Sequence, residues 1–210
     1  MNRTGSFNQT EEYKQSLKMR SSCNKVLKYV FGVDESSIIR YEKEGGPHVL
    51  DQEFAIDLKV ILPNKMQLSG QEKALTFRYY SYKTFTIEFY QNRHDYEVQK
   101  PDGTIMKPKE PGEWFKIAAQ FYLSGYSDKS GVRFIEWKII KIFDFILWQQ
   151  EQEQDITNLE KKCRPCTNSH ANFLPIRYKD IPLDCIYAEG NLLKKKAIIR
   201  GKIEDFKDFK

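Results

Sequence analysis

The chain has 210 residues, of which 40% are hydrophobic, 14% aromatic and 30% charged. This composition predicts a folded protein with one main domain and excludes a disordered or fibrous chain. The formal net charge of +5 permits a polyanionic partner without requiring one. The most apolar run, 139–148, contains Lys141 and Asp144 and is far shorter than the roughly 20 apolar residues of a membrane span, so we expect no membrane partner. The polar N-terminus has no apolar segment typical of a secretory signal, which favours a cytoplasmic location.

The first part of the chain is predicted to be mainly helical. Residues 1–9 are expected to form a mobile tail. A 3.6-residue apolar stripe then predicts a helix over 10–31, and Gly32 is placed to end it. Asp34 is a suitable N-cap for a second helix over 35–44, which the following Gly-Gly-Pro would stop.

Period-two patterning begins after this region. It predicts strands over 54–62 and 66–77, joined by a turn at 63–65. Aromatic and β-branched residues over 84–91 predict a third strand. We therefore expect an antiparallel meander of three consecutive strands.

The remaining sequence alternates loops, strands and helices. Pro and Gly residues predict an exposed loop or hairpin insertion over 92–112. The patterns that follow predict a short helix at 113–119, strands at 120–126 and 132–143, and a helix at 145–162. No elements are predicted for 163–210, which we expect to pack as an extension on the domain formed by 10–162.

Charged residues in the predicted hairpin point to phosphodiester chemistry. Hydrolysis with Mg²⁺ requires carboxylates that hold the cation and a nearby cationic group that orients the attacking water. Asp57 is an acid within an otherwise apolar strand, and Gln71-Glu72-Lys73 follows on the hairpin partner. An acid on one strand, followed by an acid and a lysine on the next, resembles the PD-(D/E)XK nuclease superfamily.

The resemblance covers about 50–91 directly, and 113–126 fits the later helix and strand of that superfamily. It implies a restriction-endonuclease-like αβββαβ core, an α/β (α+β) fold with a mixed central sheet flanked by helices. It also implies a Mg²⁺- or Mn²⁺-dependent nuclease, with DNA favoured over RNA as the substrate and a homodimer as one arrangement for cutting two strands. Gln71 stands where the family usually has Asp or Glu. The alternative is therefore a catalytically inactive, nucleic-acid-binding accessory protein of the same fold.

The register of the hairpin decides which residues share a face with Asp57. With a three-residue turn, Asp57 faces Gln71, whose amide oxygen is a neutral metal ligand. With a two-residue turn, Asp57 faces Glu72 instead, and Lys73 turns away. A bulge near Gly70 would reconcile the two arrangements. Asp57, Gln71, Glu72 and Lys73 are thus all catalytic candidates.

Further acids are candidates for the metal shell. In the superfamily a glutamate on the preceding helix often reaches the site, which by chain order resembles Glu44 or Glu42 here. Glu88 lies alone among apolar residues on the third predicted strand and is a further candidate ligand. The alternative for each acid is a solvent-facing position.

Basic and aromatic residues alternate just beyond the hairpin. Such a segment can bind a phosphate backbone and stack on unpaired bases, although tyrosines that cover the core are the alternative. The candidate nucleic-acid-binding residues are Arg78, Tyr79, Tyr80, Tyr82, Lys83 and Arg93. The basic run 194–196 is a second candidate for phosphate contacts.

Two other patterns suggest different functions. Four residues have the ligand types of tetrahedral Zn²⁺, namely Cys163, Cys166, His170 and Cys185, but their second spacing is irregular, and we expect free thiols with structural zinc as the alternative. The aromatic segment 114–126 suits either a docking face for a protein partner or a strand in the core, and its strand-like pattern favours the core.

Overall fold

The computed structural model describes residues 11–41, 49–92, 98–106, 109–153, 155–165 and 171–206. It has a mixed α/β fold, which confirms the predicted fold class at this level. The helices in chain order are α1 (Glu11–Phe31), α2 (Val49–Phe54), α3 (Glu113–Lys116), α4 (Ile142–Gln152) and α5 (Ile156–Lys162). The strands are β1 (Ile38–Arg40), β2 (Leu58–Ile61), β3 (Gln67–Leu75), β4 (Thr84–Asn92), β5 (Val98–Gln99), β6 (Ile105–Met106), β7 (Lys109–Pro111), β8 (Phe121–Ser127), β9 (Phe134–Lys141), β10 (Arg164–Pro165), β11 (Ala171–Arg177), β12 (Ile186–Asn191) and β13 (Lys196–Ile199).

A seven-stranded sheet forms the centre of the fold, in the order β1-β2-β3-β8-β9-β12-β13. Every neighbouring pair is antiparallel except β3 and β8, which are parallel. All residues of β8 are buried, as expected for a central strand that is covered on both faces. The main sheet therefore has two apolar faces to cover.

The two faces of the main sheet are covered by different elements. Helix α1 packs on one face, where Leu27 and Phe31 join a core that includes Phe121 and Leu123. The opposite face carries Tyr122 and Tyr126 together with three side chains of β4, Phe85, Ile87 and Phe89. Because side chains alternate along β8, odd positions pack on the helix and even positions pack beneath the second sheet.

The second sheet has the order β10-β11-β4-β7. Its strands come from two distant parts of the chain: β4 and β7 lie between β3 and β8, whereas β10 and β11 lie near the C-terminus. Strand β11 pairs along the length of β4, from Arg177 opposite Thr84 to Ala171 opposite Gln91. The segment for which no elements were predicted thus contributes strands to both large sheets.

Several predicted elements differ from the structure. The helix predicted over 35–44 is wrong: a 3-10 turn at Glu35–Ser37 leads into β1, because the β-branched residues there pair with β2. The predicted meander is also wrong, since β4 leaves the main sheet for the second one. The helix predicted over 145–162 is divided in two, and Asp155 caps the second part by accepting a hydrogen bond from the Thr157 backbone.

The described ranges include no helix that combines the length and the apolar character needed to cross a membrane. Residues 1–10, which contain the predicted tail, lie outside the described residues. The hairpin of β5 and β6 falls within the predicted insertion 92–112.

Candidate active site

The β2–β3 hairpin has the register of the three-residue turn. Leu58 lies opposite Gly70, and the Leu62 backbone donates a hydrogen bond to the Met66 carbonyl at 2.8 Å. Strand β2 begins only at Leu58, after a turn that follows α2, so Asp57 stands at the mouth of the hairpin.

The Asp57 carboxylate lies beside the Gln71 amide. Its Oδ2 atom accepts a hydrogen bond of 2.9 Å from the Glu72 backbone N–H. The Asp57 oxygens are 3.2 and 3.3 Å from one terminal atom of Gln71, and the Ala55 carbonyl oxygen is 2.8 Å from the same atom. Three oxygens thus converge on one end of this amide.

The other end of the Gln71 amide contacts Glu113, where Nε2 lies 3.3 Å from Oε1. If the nitrogen turns instead toward Asp57, it gains the three hydrogen bonds to Asp57 and Ala55 and gives up the bond to Glu113. Without a cation among the oxygens, the orientation with the nitrogen toward Asp57 is favoured, because it satisfies more acceptors. A cation in that space would favour the reverse orientation.

Burial raises the pKa of Asp57 well above its ordinary value, and the nearby Asp51 and Glu72 carboxylates raise it further. The hydrogen bond from the Glu72 backbone acts in the opposite direction. A hydrogen bond to the Asp51 carboxyl also raises the pKa, because it favours the protonated form. Asp57 and Asp51 therefore form a pair of acids that share a proton more readily than they carry two charges.

Ala55 links α2 to this cluster in a strained conformation. Its φ of 47° lies in the left-handed region, which is costly for a residue with a Cβ atom. It is nevertheless buried, and its N–H donates to the Asp51 carbonyl at 3.0 Å to close the last turn of α2. Backbone strain of this kind often marks a functional site, and here it directs a carbonyl oxygen toward Gln71.

Glu113 belongs to this cluster, although the sequence pattern did not identify it as a site residue. It begins α3, and its Oε2 atom accepts a hydrogen bond of 3.1 Å from the Glu88 backbone and one of 3.3 Å from the Tyr122 hydroxyl. The same atom is 3.9 Å from Lys73 Nζ. A signal was present in the sequence, since Glu113 opens the predicted helix that, with the strand after it, fits the later part of the superfamily core.

Lys73 extends from the same face of β3 as Gln71. Its ammonium group lies 4.2 Å from the centre of the Phe173 ring, and its side chain is 23% exposed. The structure therefore brings Asp57, Gln71 and Lys73 together with Glu113.

Glu88 stands next to this group on β4. Burial raises the pKa of its carboxyl, and the nearby Glu113 raises it further, while Lys73 acts against both. The Glu88 carboxyl accepts a hydrogen bond of 2.7 Å from Gln91.

Glu72 lies on the opposite face of β3. Its two carboxylate oxygens accept hydrogen bonds of 3.0 and 2.9 Å from Nε and Nη2 of Arg40 on β1. The neighbouring thiol of Cys23, on α1, has a raised pKa, chiefly through burial and then through the charge of Glu72. The side chain of Glu72 is thus committed to an ion pair beneath α1, and only its backbone N–H reaches Asp57.

The predicted basic and aromatic segment forms a 3-10 helix, Phe77–Tyr82. Arg78 lies over the Tyr79 ring, with 4.5 Å between its Cζ atom and the ring centre. Tyr80 packs edge-on against Tyr126 at 5.7 Å, and both Tyr79 and Tyr80 are half-buried against the core. Tyr82, by contrast, is 66% exposed.

Lys83 ends the 3-10 helix and is paired with an acid. It lies over the Tyr80 ring at 3.2 Å and forms an ion pair with Glu136 of β9. Arg93, the last of the predicted nucleic-acid-binding residues, lies outside the described residues.

The predicted metal ligands outside the hairpin do not form a metal site within the described residues. Glu42, Glu44, Cys166 and His170 lie outside the described residues. Burial raises the pKa of both the Cys163 and the Cys185 thiols to about 11, which favours the protonated thiol. Within the described ranges, no three or more His, Cys, Asp or Glu side chains are grouped closely enough to hold a metal ion.

No family model matches the chain, and no significantly similar curated protein or solved structure was found. The geometry of the site therefore carries the functional argument by itself.

Proposed function

We propose that the protein is a metal-dependent nuclease that hydrolyses phosphodiester bonds of DNA and resembles the PD-(D/E)XK superfamily. The observation that carries the proposal is the convergence of Asp57, Gln71 and Lys73 with Glu113 at the mouth of the β2–β3 hairpin. An acid, an amide oxygen, a lysine and a second acid are the residue types that metal-assisted phosphodiester hydrolysis needs.

The order of the elements supports the restriction-endonuclease-like αβββαβ core. Helix α1 is followed by the antiparallel strands β1, β2 and β3, with the short helix α2 between β1 and β2, and α3 then leads into β8. Strand β8 pairs with β3 in parallel, as a crossover connection through a helix would give. In this interpretation, β4 to β7 are an insertion that, with β10 and β11, covers one face of the core.

The oxygens around Asp57 fit a hard divalent cation. Mg²⁺ prefers octahedral oxygen ligands at 2.0–2.1 Å, so neighbouring ligands lie roughly 3 Å apart. With its oxygen toward Asp57, the Gln71 amide lies at 2.8 Å from the Ala55 carbonyl oxygen and 3.2 Å from the nearer Asp57 oxygen. Asp57, Gln71 and the Ala55 carbonyl would thus hold Mg²⁺ or Mn²⁺, with Asp51 hydrogen-bonded behind Asp57. When bound, the cation would polarise the phosphate and lower the pKa of a coordinated water.

The remaining residues of the site act by position and charge. Lys73 offers a cation that stabilises the charge developing on the phosphate and orients the attacking water. The Glu113 carboxylate forms an ion pair with Lys73 at 3.9 Å and accepts a hydrogen bond from the Tyr122 hydroxyl. With the Gln71 nitrogen turned toward Glu113, the same carboxylate also fixes the amide oxygen toward Asp57.

The test is cleavage of linear and circular DNA, single- and double-stranded, and of RNA, with Mg²⁺ or Mn²⁺ against EDTA. Asp57→Ala and Lys73→Ala are each expected to reduce cleavage by about 10²-fold or more, since each removes a group that acts in the transition state. Lys59→Ala is the matched control, because it removes a lysine of the same hairpin whose ammonium group bonds to Gln67 on the surface. Unchanged metal-dependent cleavage in Asp57→Ala would refute the proposal.

An inactive, nucleic-acid-binding accessory protein is the second candidate. The observation that favours it is the Gln71 amide, which satisfies three acceptors with its nitrogen and needs no cation to do so. Gln71→Glu separates the candidates, because it restores the carboxylate usual in the superfamily. A wild-type protein that binds DNA without cutting it, beside a Gln71→Glu variant that cuts, would establish the accessory function.

A further inference from the structure

A cleft of about 590 Å³ opens on the same side of the main sheet as the candidate active site. Its lining comes from four separate segments of the chain: Tyr80 and Lys83, Glu136 and Lys138, residues 177–179, and Asn191, Leu193 and Lys194. These residues lie on β9, in and just after the 3-10 helix Phe77–Tyr82, and at the ends of β11 and β12 and in the turns that follow them. No single stretch of sequence reveals this basic cleft.

The charge of the basic cleft is unbalanced. Among the described residues that line it, five are cationic (Lys83, Lys138, Arg177, Lys179 and Lys194) and one, Glu136, is acidic. Three of the cations have acidic partners: Lys83 pairs with Glu136, Lys138 pairs with Glu189 of β12, and Arg177 lies 3.7 Å from Asp180.

The excess charge therefore resides on Lys179 and Lys194. Both side chains are exposed, and neither forms an ion pair within the described part of the chain. Two unpaired ammonium groups at the mouth of a cleft attract a ligand with repeated negative charges. Tyr80 and Leu193 add apolar surface beside these charges.

The register of the main sheet connects the basic cleft to the candidate active site. Lys73 of β3 lies opposite Ser124 of β8, and Ser124 lies opposite Lys138 of β9. Two interstrand spacings of about 4.8 Å place Lys138 roughly 10 Å from Lys73 across the sheet. Tyr178 contacts the middle and the far end of this row, with its hydroxyl 3.0 Å from the Ser124 hydroxyl and its ring 5.3 Å from Lys138 Nζ.

We infer that the basic cleft binds the sugar–phosphate backbone of a single nucleic-acid strand. The bound segment would lie a few nucleotides from the phosphodiester bond that is cleaved beside Asp57. The charge of the cleft indicates a polyanionic ligand, and the identification of that ligand as a nucleic acid rests on the proposed function. A single strand fits the observations better than a duplex, because lysines and an aromatic ring line a concave cleft rather than a broad convex face. Lys179 and Lys194 would contact phosphates, and Tyr80 with Leu193 would contact a sugar or base.

The experiment measures binding of a short fluorescein-labelled single-stranded DNA by fluorescence anisotropy, over a series of salt concentrations and in EDTA. Each phosphate contact contributes a slope of about 0.7 to the dependence of log K on log salt for single strands. Lys179→Ala/Lys194→Ala is thus expected to reduce the slope by about 1.4 and to weaken binding roughly 25-fold at ~0.1 M salt. The control is Lys18→Ala/Lys25→Ala, which removes two exposed lysines of α1 on the opposite side of the sheet.

A loss confined to the cleft variant supports the inference, and equal binding by the two double variants would overturn it. A duplex of the same sequence that loses as much affinity as the single strand would overturn the single-strand assignment. Because EDTA prevents metal-dependent cleavage, the binding result is independent of the nuclease test. Failure of the nuclease proposal with cleft-dependent binding would place the basic cleft in an accessory protein instead.

Discussion

The carboxyl group of Asp57 loses its proton less readily than the carboxyl group of an exposed aspartate. Burial raises its pKa first, and the charges of Asp51 and Glu72 raise it further. The folded state therefore binds more protons than the unfolded state over a pH window that begins near the ordinary value of 3.8. Within this window the free energy of unfolding falls as pH rises. Above the raised pKa, the folded state carries the full penalty of burying an ionised Asp57 carboxylate.

Asp57→Asn should remove this pH-dependent penalty. The variant is expected to be more stable than the wild type at pH 8 in EDTA, with a smaller difference at pH 5. Each kcal/mol relieved would raise Tm by roughly 2–4 °C in a chain of this size. Urea unfolding at the two pH values measures the difference, and Asp184→Asn, at an exposed acid, is the control. A difference that does not change with pH would contradict the assignment of the penalty to Asp57.

Mg²⁺ should oppose the same penalty in the wild type, because the cation binds the ionised carboxylate in the folded state. Added Mg²⁺ is expected to stabilise the wild-type protein more at pH 8 than at pH 5. Asp57→Asn should show little of this stabilisation. The measurement is the Tm at increasing Mg²⁺ concentration, and an equal rise in both proteins would exclude Asp57 as a ligand.

The ion pair of Arg40 and Glu72 is a structural feature rather than a part of the active site. The two side chains are only 11% and 13% exposed, and two hydrogen bonds join them. Arg40→Met leaves the Glu72 charge buried without this partner, which should cost about 3–5 kcal/mol. Arg40→Met/Glu72→Leu should recover most of the loss in urea unfolding. It should also keep metal-dependent cleavage, since the residue at position 72 still offers its backbone N–H to Asp57.

Among the elements, β3 depends on a close approach that allows no side chain at Gly70. A Cβ atom there would lie 2.2 Å from Cζ of Phe121, the facing residue on β8. Gly70→Ala should therefore destabilise the protein by about 1–3 kcal/mol. Phe121→Leu in the same chain should relieve part of that cost, with a coupling energy of at least ~0.5 kcal/mol in a double-mutant cycle. Additive effects would contradict the contact.

The hairpin could be predicted from sequence because its information is local. Alternation in the two predicted strands, a short turn and a lone acid in an apolar pattern are enough to make Asp57, Gln71, Glu72 and Lys73 candidates. The same pattern could not decide between the two registers, since a shift of one residue exchanges Gln71 for Glu72. The three-residue turn resolves this choice.

Glu113 and the second sheet could not be predicted, because they depend on contacts between distant residues. Glu113 and Gln71 are 42 positions apart in the sequence. They come into contact because α3, which begins with Glu113, leads into β8, and β8 pairs with β3. Strand β4 has the composition of a third meander strand, and only its partner β11, far along the chain, shows that it belongs elsewhere. The basic cleft combines four segments and is hidden from sequence for the same reason.

For the whole molecule, the C-terminal segment that follows α5 is an integral part of two sheets, because it supplies strands to both of them. Strand β11 pairs with β4, and β12 pairs with β9, so removal of the chain after Lys162 would expose the edges of both. Leu174 and Ile176 of β11 and Ile186 of β12 pack in the core shared with Phe85 and Phe145.

The full chain is therefore expected to unfold in one cooperative transition, with far-UV circular dichroism and tryptophan fluorescence changing together. A chain ending at Lys162 should lack such a transition, because it leaves β4 and β9 unpaired along one side and much of the core uncovered. Urea titrations of both chains make the comparison. A cooperative transition of the shortened chain, with native-like circular dichroism, would instead make residues 163–210 a separable extension of an independently folded domain.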